Sequence, residues 1–516
     1  MYPDEIITQF RQKYVNGQIK STFISAILVG LLSHGYMLAN KLPNYDDIAC
    51  MINNYGTGIE SGRWMLSVLG TIVRKTIGNY SIPWFNGIIS ICIIAIAACV
   101  VTQTFEIKDK VLCVLVGGIM ISIPAITGIL FFMYTSVYYC LSILACAVAV
   151  FCGKRYKYGL FAGMVFLSVS LGIYQAYLSF GASLFLLLLI QKCLQEDAEW
   201  KDILGTACKY LLLLVGALLI YLICVRLFLW IKGTQLLSYQ GLDKMGKINI
   251  RDIPQMIGDA YKNYIKLFYS EMYGFNTYFV IRGGILLLHI LSVFIIMWSI
   301  RKKGLLVIME IILFTLLFPL ATNLIYIMAP NTYVYSIMVY SLVTIYLASI
   351  VLMQFARLYL CENNRGWCFL HWCGTLIVAL IIFVQCQYNN VQYLAMTMQY
   401  EQAYSYMTTL VTRIKSVQGY DDSLKVAFIG GGIEDSTFYC NDEFEDYNMG
   451  GRSQTLINLY SQKDFLKRYL GYNQTVVEEQ GGMDDLLEVR QMPSYPDDGS
   501  IKIIDNTVVV KLRNKE

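Results

Sequence analysis

The sequence predicts a mainly α-helical, polytopic membrane protein with about eleven transmembrane helices and a small extracytoplasmic α/β domain at its carboxyl end. The 516 residues are 56% hydrophobic and 15% charged, with a mean hydropathy of +0.52, whereas a soluble domain carries about 25% charged residues. Apolar runs of about 17–24 residues recur along the chain, and each is long enough to cross about 30 Å of hydrocarbon. An acidic stretch with strand-like segments follows the last run and predicts the separate domain.

Eleven apolar segments are predicted to form the transmembrane domain, residues 19–386. The run from 159 to 190 is divided at the polar "GIYQAY" because it is too long for one helix. The segments lie near residues 19–38, 82–102, 111–131, 134–152, 159–172, 176–190, 209–230, 280–299, 305–327, 333–352 and 369–386. Residues 1–18 are polar, lack a signal-peptide pattern and are predicted to form a cytoplasmic or interfacial segment.

Positive charge in the short loops predicts the orientation of these segments. Lys and Arg residues concentrate on one side, in "KRYK" (Lys154–Lys157), in "RKK" (Arg301–Lys303), at Lys108 and Lys110, and before the first segment. An odd number of spans then places the amino terminus in the cytoplasm and the carboxyl-terminal domain outside. Residues 387–516 carry 12 Lys and Arg against 19 Asp and Glu, and an acidic outer domain suits this arrangement.

Two long outer loops are predicted, at residues 40–81 and 231–278. The first contains "MLSVLGTIVRKTIG", whose apolar spacing predicts an amphipathic helix on the membrane surface. The second contains "RDIPQMIGDAYKNYIK", where Asp252 is the predicted N-cap and Pro254 fits the first helical turn.

Residues 387–516 are predicted to form the small α/β domain. A long helical pattern opens it, a strand follows at Lys425–Ile429, and a hairpin is predicted to turn at Asp505–Asn506. The glycines at 430–432 do not indicate a nucleotide site, because Asp435 occupies the place of the third fingerprint glycine.

The composition indicates neither a disulfide framework nor a metal cluster. Nearly all of the 15 cysteines lie in or beside apolar segments, and no Cys-x-x-Cys or His-bearing cluster suggests a metal ion. No cofactor and no nucleic-acid partner is expected. A divalent metal ion at the adjacent carboxylates Asp46 and Asp47 is a less favoured alternative, since two carboxylates supply only a few of the oxygen ligands that such an ion needs.

The first outer loop, "LPNYDDIACMINNYGTGIESGRW", carries the strongest chemical signal. Asp46 and Asp47 could be ordinary solvated loop residues, but Arg63 and Trp64 follow them in a loop that is dense in Gly, Asn and Tyr. A carboxylate can take a proton from a hydroxyl group, an arginine can stabilise a phosphate leaving group, and an aromatic ring can stack on a sugar. These residues therefore suit sugar transfer from a lipid-linked phosphate.

Four further residues are candidates for binding the donor phosphate or sugar. Lys41 and Arg226 could each receive a phosphate, although Arg226 more readily extends its charge to the membrane surface. Tyr174 and Gln175 lie in a short outer turn. They could contact the sugar or the acceptor, or they could satisfy backbone groups where the chain bends.

The "YDD" of Tyr45–Asp47, followed after about fifteen residues by the "GRW" of Gly62–Trp64, resembles the first outer loop of the bacterial serotype-converting glucosyl transferase II (Gtr-type) family. The Tyr-Gln turn at Tyr174 and Gln175 is also similar, and the resemblance covers mainly residues 20–190. It implies a GT-C type fold and an enzyme of the bacterial plasma membrane. Such an enzyme takes a hexosyl unit, expected to be glucosyl, from polyprenyl phosphate and attaches it to a cell-envelope glycan outside.

The resemblance also implies roles for individual residues. An acidic residue of the first outer loop serves as base, which places Asp46 or Asp47 at the reacting hydroxyl. Asp46 is the favoured base and Asp47 its orienting partner or a sugar contact. Arg63 matches the motif arginine, and a structural pairing of Arg63 with Asp47 or Glu60 is an equal alternative. The expected partners are a polyprenyl-phosphate sugar, a surface polysaccharide or lipid-linked glycan, and membrane lipid.

Two rival functions differ in what the sequence should contain. A polymerase or ligase of lipid-linked polysaccharide would place its arginines in large later outer loops. A flippase or transporter would show repeated halves and ionisable residues at mid-membrane. The chain shows no clear repeat, and its apolar segments are almost free of charge.

Overall fold

The computed structural model describes residues 2–5, 8, 16–237, 250–272, 274–330, 333–360, 365–430, 456–458, 460–477 and 482–513. These residues fall into two compact units, which are described separately. The helical unit comprises the chain up to Asn40 and from Asn53 to Val391. The mixed unit comprises Lys41–Ile52 and the described residues from Gln392 onward. The predicted outer loop 40–81 is therefore divided between the two units.

The helical unit is built largely from α-helices. Its α-helices outside the mixed unit are α1 (Gly17–Ala39), α3 (Trp64–Thr76), α4 (Pro83–Thr104), α5 (Lys110–Ser122), α6 (Pro124–Phe131), α7 (Met133–Arg155), α8 (Gly159–Ile173), α9 (Leu178–Leu194), α10 (Trp200–Lys232), α11 (Ile253–Lys266), α12 (Phe279–Ser299), α13 (Leu305–Thr322), α14 (Ile325–Met328) and α15 (Val343–Tyr359), and α16 (Arg365–Lys415) begins there. Helix α2 (Tyr45–Cys50) belongs to the mixed unit.

Nine helices of the described chain are long and apolar enough to cross a membrane, which makes this a membrane protein. Helices α5 and α6 form a tenth candidate that bends by 41° between them, where Pro124 follows a residue that proline keeps out of the helical conformation. The remaining predicted segment, 159–172, is the shorter apolar helix α8. Every predicted segment thus overlaps helical residues, although residues 323–324 interrupt segment 305–327 and residues 333–335 are not helical. The count of eleven membrane crossings stays a prediction.

Hydrogen bonds between helices and close backbone approach hold α1 against α4 and α5. The Thr22 and Thr102 hydroxyl groups lie 3.1 Å apart, and Ser25 Oγ donates to the Val114 carbonyl at 2.7 Å. A Cβ atom on Gly117 would lie 2.3 Å from the Thr22 carbonyl oxygen. Lipid-embedded helices associate through such small residues and polar contacts, because burial from water gives little driving force there.

The mixed unit combines helices with a four-stranded sheet. The sheet has the order β2 (Val476–Val477), β1 (Lys425–Ile429), β4 (Thr507–Lys511), β3 (Ile501–Ile504), in which β1 runs parallel to both neighbours and β3 and β4 are antiparallel. The predicted strand Lys425–Ile429 is confirmed. The hairpin turn at Asp505–Asn506 is also confirmed, with both residues at positive φ, as a two-residue type I′ turn requires.

One predicted boundary falls inside a helix, one predicted cap lacks its side-chain hydrogen bond, and other predictions fall on residues that the structure does not describe. The boundary predicted after residue 386 lies inside α16, which runs unbroken for 51 residues because neither Gly nor Pro occurs between residues 375 and 418. Asp252 occupies the N-cap position of α11, but its side chain makes no capping hydrogen bond. The glycines at 431–432, Asp435 and most of residues 1–15 lie outside the described residues. The predicted helix in "MLSVLGTIVRKTIG" is confirmed as α3, although nothing tests its position at the membrane surface.

Candidate active site

The adjacent carboxylates Asp46 and Asp47 lie in the first turn of the short helix α2 (Tyr45–Cys50). Asn44 occupies the N-cap position, and its side-chain oxygen accepts a hydrogen bond from the Asp47 amide nitrogen at 2.7 Å. Negative side chains in the first turn interact favourably with the helix dipole. The sequence "NYDD" therefore begins a helix, rather than an irregular solvated loop.

Contacts within the mixed unit hold α2 in place. The Ile48 side chain is fully buried in the core that helix α16 residues such as Met407 and Leu410 form with the sheet. Arg468 belongs to helix α17 (Gln462–Leu470). Its guanidinium donates to the Ala49 carbonyl at 3.1 Å and also to the Ile48 carbonyl. These carbonyl groups lie at the carboxyl end of α2, so one arginine caps that end.

The two carboxylates differ in exposure. Asp47 is 1% exposed, whereas Asp46 is only partly buried. Burial raises the pKa of Asp46 from its ordinary value to about 6, because a low-dielectric environment disfavours the charged form. Asp46 is therefore the carboxyl group of the pair that solvent can reach, and its raised pKa lets it exchange a proton near neutral pH.

Tyrosines and a lysine surround α2 in the mixed unit. Cys50 Sγ lies 3.5 Å from the Tyr460 hydroxyl group, and burial raises the pKa of both groups, that of the Cys50 thiol to about 11. The Lys41 ammonium lies 4.2 Å from the centre of the Tyr469 ring. Lys41 thus makes a cation–π contact in the same unit as the carboxylates.

A second group of the predicted residues meets in the helical unit, around Arg63. Arg63 precedes α3, and its Nη1 donates to the Tyr139 hydroxyl group at 3.3 Å. Its guanidinium also lies 4.9 Å from the centre of the Tyr174 ring, which itself lies 4.8 Å from the Tyr139 ring. Arg63 is half-buried, and the two tyrosines are buried. We call Arg63, Tyr139 and Tyr174 the arginine–tyrosine cluster.

The Tyr-Gln turn is tied to the "GRW" motif by Gln175. Gln175 Nε2 donates to the Ser61 carbonyl at 2.8 Å and to the Tyr221 hydroxyl group at 3.0 Å. Gly62 lies between them at a φ of 75°, and a Cβ atom there would lie 2.7 Å from the Tyr221 hydroxyl oxygen. The motif glycine is therefore required both by its backbone conformation and by the space available. The buried Gln175 satisfies a backbone carbonyl, and its contact with a sugar stays a prediction.

Trp64 and Arg226, the other predicted residues of the helical unit, have different environments. The Trp64 ring stacks on Phe228 of α10, with centroids 5.6 Å apart, and a Cβ atom on Gly172 would lie 2.5 Å from the Trp64 ring. Trp64 therefore joins α3 to α8 and α10 as a packed side chain. Arg226 is exposed on α10, which suits a cation that reaches the membrane surface.

Sequence reasoning missed the residues that hold these groups together. Nothing distinguishes Tyr139 and Tyr221 among 39 tyrosines, because both lie inside apolar segments. Arg468 pairs with Asp464 at 3.0 Å one helical turn away, a spacing visible in "KDFLKRYL". Its bonds to residues 48 and 49 span about 420 positions, and no local pattern predicts them.

Metal ligands are not grouped in the described part of the chain. No set of three or more His, Cys, Asp or Glu side chains there has the geometry to hold a metal ion. Inside the helical unit, His289 accepts or donates a hydrogen bond with the Tyr264 hydroxyl group at 2.7 Å and contacts the Ile285 carbonyl at 2.8 Å. Both ring nitrogens of this histidine therefore have partners.

These features define a polytopic membrane protein with a capped helix bearing two carboxylates and a separate arginine–tyrosine cluster. The family model described as Glucosyl transferase GtrII matches residues 35–346 of the chain. Because this match covers more than half of the 516 residues, the chain belongs to that family and is a glycosyltransferase. The resemblance seen in the sequence is confirmed and extends beyond residue 190. Comparisons with curated proteins and with solved structures found no match.

Proposed function

We propose that this glycosyltransferase moves a hexosyl unit, glucosyl in the simplest case, from a polyprenyl-phosphate donor to a cell-envelope glycan. The proposal places the reaction at the outer face of the bacterial plasma membrane and the enzyme in the GT-C class. Membership of the glucosyl transferase family supports a glucosyl unit as the group that is transferred. Nucleotide sugars are scarce outside the cytoplasm, and a donor linked to membrane lipid suits an enzyme built largely of apolar helices.

The observation that carries the mechanism is the environment of Asp46. A general base works best when its pKa lies near the operating pH, and burial raises the pKa of Asp46 to about 6. Asp46 is partly exposed, whereas Asp47 is buried. We assign Asp46 as the base that takes the proton from the acceptor hydroxyl group, with Asp47 as its orienting partner or as a contact to the sugar.

Bond changes in this proposal balance without an external reactant. The acceptor oxygen forms a bond to the anomeric carbon as its proton passes to the Asp46 carboxylate. The bond between the anomeric carbon and the phosphate oxygen breaks, and its electron pair leaves with polyprenyl phosphate. A cationic group is proposed to bind the phosphate, and the family motif predicts Arg63 for this role, since a guanidinium presents several donors to phosphate oxygens. Tyr139 and Tyr174 contact the Arg63 guanidinium and fix its orientation.

The reaction is proposed to need no divalent metal ion. The leaving group is a phosphate monoester already charged at neutral pH, and the cationic Arg63 can stabilise the negative charge that develops on it. We expect that EDTA leaves turnover unchanged and that added Mg²⁺ or Mn²⁺ does not increase it. An activity that EDTA abolishes and Mn²⁺ restores would instead show that the reaction needs a metal ion.

Sugar release from synthetic polyprenyl-phosphate glucose by the purified protein tests the assignment. Asp46→Asn should lower kcat by about 10²–10⁴-fold, the contribution of a general base. Asp47→Asn is the matched variant, because it makes the same substitution one position away. It should retain clearly more activity than Asp46→Asn.

Two results would contradict the proposal. Full activity in both variants would exclude the pair as the base. No turnover of any lipid-phosphate hexose by a folded wild-type protein would exclude this donor class and favour movement of a lipid-linked glycan over transfer.

A further inference from the structure

The catalytic helix proposed above cannot be stable by itself. Helix α2 has six residues, whereas isolated helices shorter than about 12–15 residues are marginal in water. Its amino end is capped by Asn44, and its middle is anchored by the fully buried Ile48. The last carbonyl groups of any helix need partners from outside the helix, and here Arg468 binds those of Ile48 and Ala49.

Arg468 is well placed to fix the orientation of α2. Its Nη1 binds the carbonyl groups of Ile48 and Ala49, and its Nη2 lies 3.0 Å from Asp464 Oδ1. The Arg468 side chain is 23% exposed, so water competes less for it than for a surface arginine. A planar guanidinium carries several N–H donors in a fixed arrangement and can make all these bonds at once. A lysine ammonium has no such fixed planar arrangement of donors.

We propose that Arg468 is a positioning residue for the glycosyl transfer, which holds the carboxyl end of α2 so that Asp46 meets the acceptor hydroxyl group. The inference rests on the proposed role of Asp46 as base. Geometry of this kind matters because a displacement of about 1 Å in a catalytic group can lower the rate by about 10²-fold.

Arg468 lies outside residues 35–346, the part that the family model matches. The mixed unit would then be part of the catalytic centre rather than an appended binding module. Its α17 region supplies the cap, and its core receives Ile48. This assigns a catalytic purpose to a part of the chain for which the sequence predicts a fold but no role.

The titratable and charged groups of the mixed unit around α2 define what a pH profile can report. They are Lys41, Asp46, Asp47, Cys50, Tyr460, Asp464, Arg468 and Tyr469. Burial is the cause that raises the pKa of Asp46. If α2 loosens, water reaches Asp46, and its pKa should fall towards its ordinary value.

The test compares Arg468→Gln and Arg468→Lys with the wild-type full-length protein, using release of glucose from synthetic polyprenyl-phosphate glucose. Arg468→Gln should lower kcat at least about tenfold and leave KM for the donor within about twofold, since the proposed role of Arg468 involves no contact with the donor. The acid limb of its kcat profile should move to lower pH. Arg468→Lys should recover part of kcat, because an ammonium can bind one of the two carbonyl groups, and this variant decides the matter if Arg468→Gln does not fold.

Arg490→Gln is the matched control. Arg490 lies in the same unit and pairs with Asp485 at 2.6 Å, but both side chains are exposed, at 62% and 74%. Its variant should match wild type in kcat and pH profile. Wild-type kcat in Arg468→Gln, or a lower kcat with an unmoved acid limb, would overturn the inference if Asp46→Asn still shows its expected loss of kcat. Full activity of Asp46→Asn would instead overturn the proposed function itself.

Discussion

Asp46 and Asp47 are adjacent in the sequence, yet the fold gives them different properties. The residue types alone predict a carboxylate site here. The sequence could not distinguish the roles of Asp46 and Asp47, because their difference comes from burial against residues distant in the sequence. Arg63, Trp64, Tyr174 and Gln175 were likewise predicted from their types and spacing, and their roles in binding the donor stay predictions. The bonds that join them, through Tyr139 and Tyr221, could not be predicted from segments that are apolar throughout.

Asp46 is expected to lower the stability of the protein at neutral pH. Its pKa in the folded protein, about 6, lies above its ordinary value of 3.8. The free energy of unfolding is therefore highest below pH 3.8, where the group is neutral in both states, and it decreases as pH rises through about 6 and the buried group becomes charged. Asp46→Asn should therefore raise the thermal midpoint at pH 8 more than at pH 5. Thermal unfolding in detergent at the two pH values measures this, and an equal midpoint change at both would contradict the buried carboxyl group.

Gly62 provides a second prediction at this scale. Gly62→Ala places a side chain at a φ of 75°, which costs about 1–2 kcal/mol for an L-residue, and forces the Cβ atom against Tyr221 and Gln175. We expect a lower thermal midpoint and weakened turnover, because Arg63 follows directly. Gly205→Ala is the control, since Gly205 lies within α10 with no atom within 4 Å of the added Cβ. A Gly62→Ala protein as stable and active as this control would show that the turn adapts.

At the scale of elements, hydropathy located the helices well, and it did so because burial in lipid demands continuous apolar sequence. The ends were less predictable. Helix α16 continues past its apolar part because good helix formers follow without a break. Helix α2 escaped prediction because six residues carry no periodic signal, although Asn44 before two acidic residues is a capping pattern that could have indicated it.

The crossing of α1 and α5 yields a prediction for an element pair. Gly117→Ala would place a Cβ atom 2.3 Å from the Thr22 carbonyl oxygen, and such overpacking costs typically about 1–3 kcal/mol. The thermal midpoint of the purified protein should fall accordingly. Gly283→Ala serves as its partner variant, because Gly283 lies on α12 with open space around the added atom. Equal midpoints in the two variants would mean that the helices separate without cost.

At the scale of the whole molecule, the charge distribution predicts which side of the membrane each part faces. The loops at residues 154–157 and 301–303 are basic, whereas residues 387–516 carry an excess of acidic groups. Basic loops remain in the cytoplasm, so the carboxyl end is expected outside. Alkaline phosphatase, which is active only after export, should be active when fused to the carboxyl end and inactive when fused after Lys303. The reverse pattern would place the mixed unit, and Asp46 with it, in the cytoplasm. Soluble nucleotide sugars would then be available as donors, and the proposed need for a polyprenyl-phosphate sugar would lose its basis.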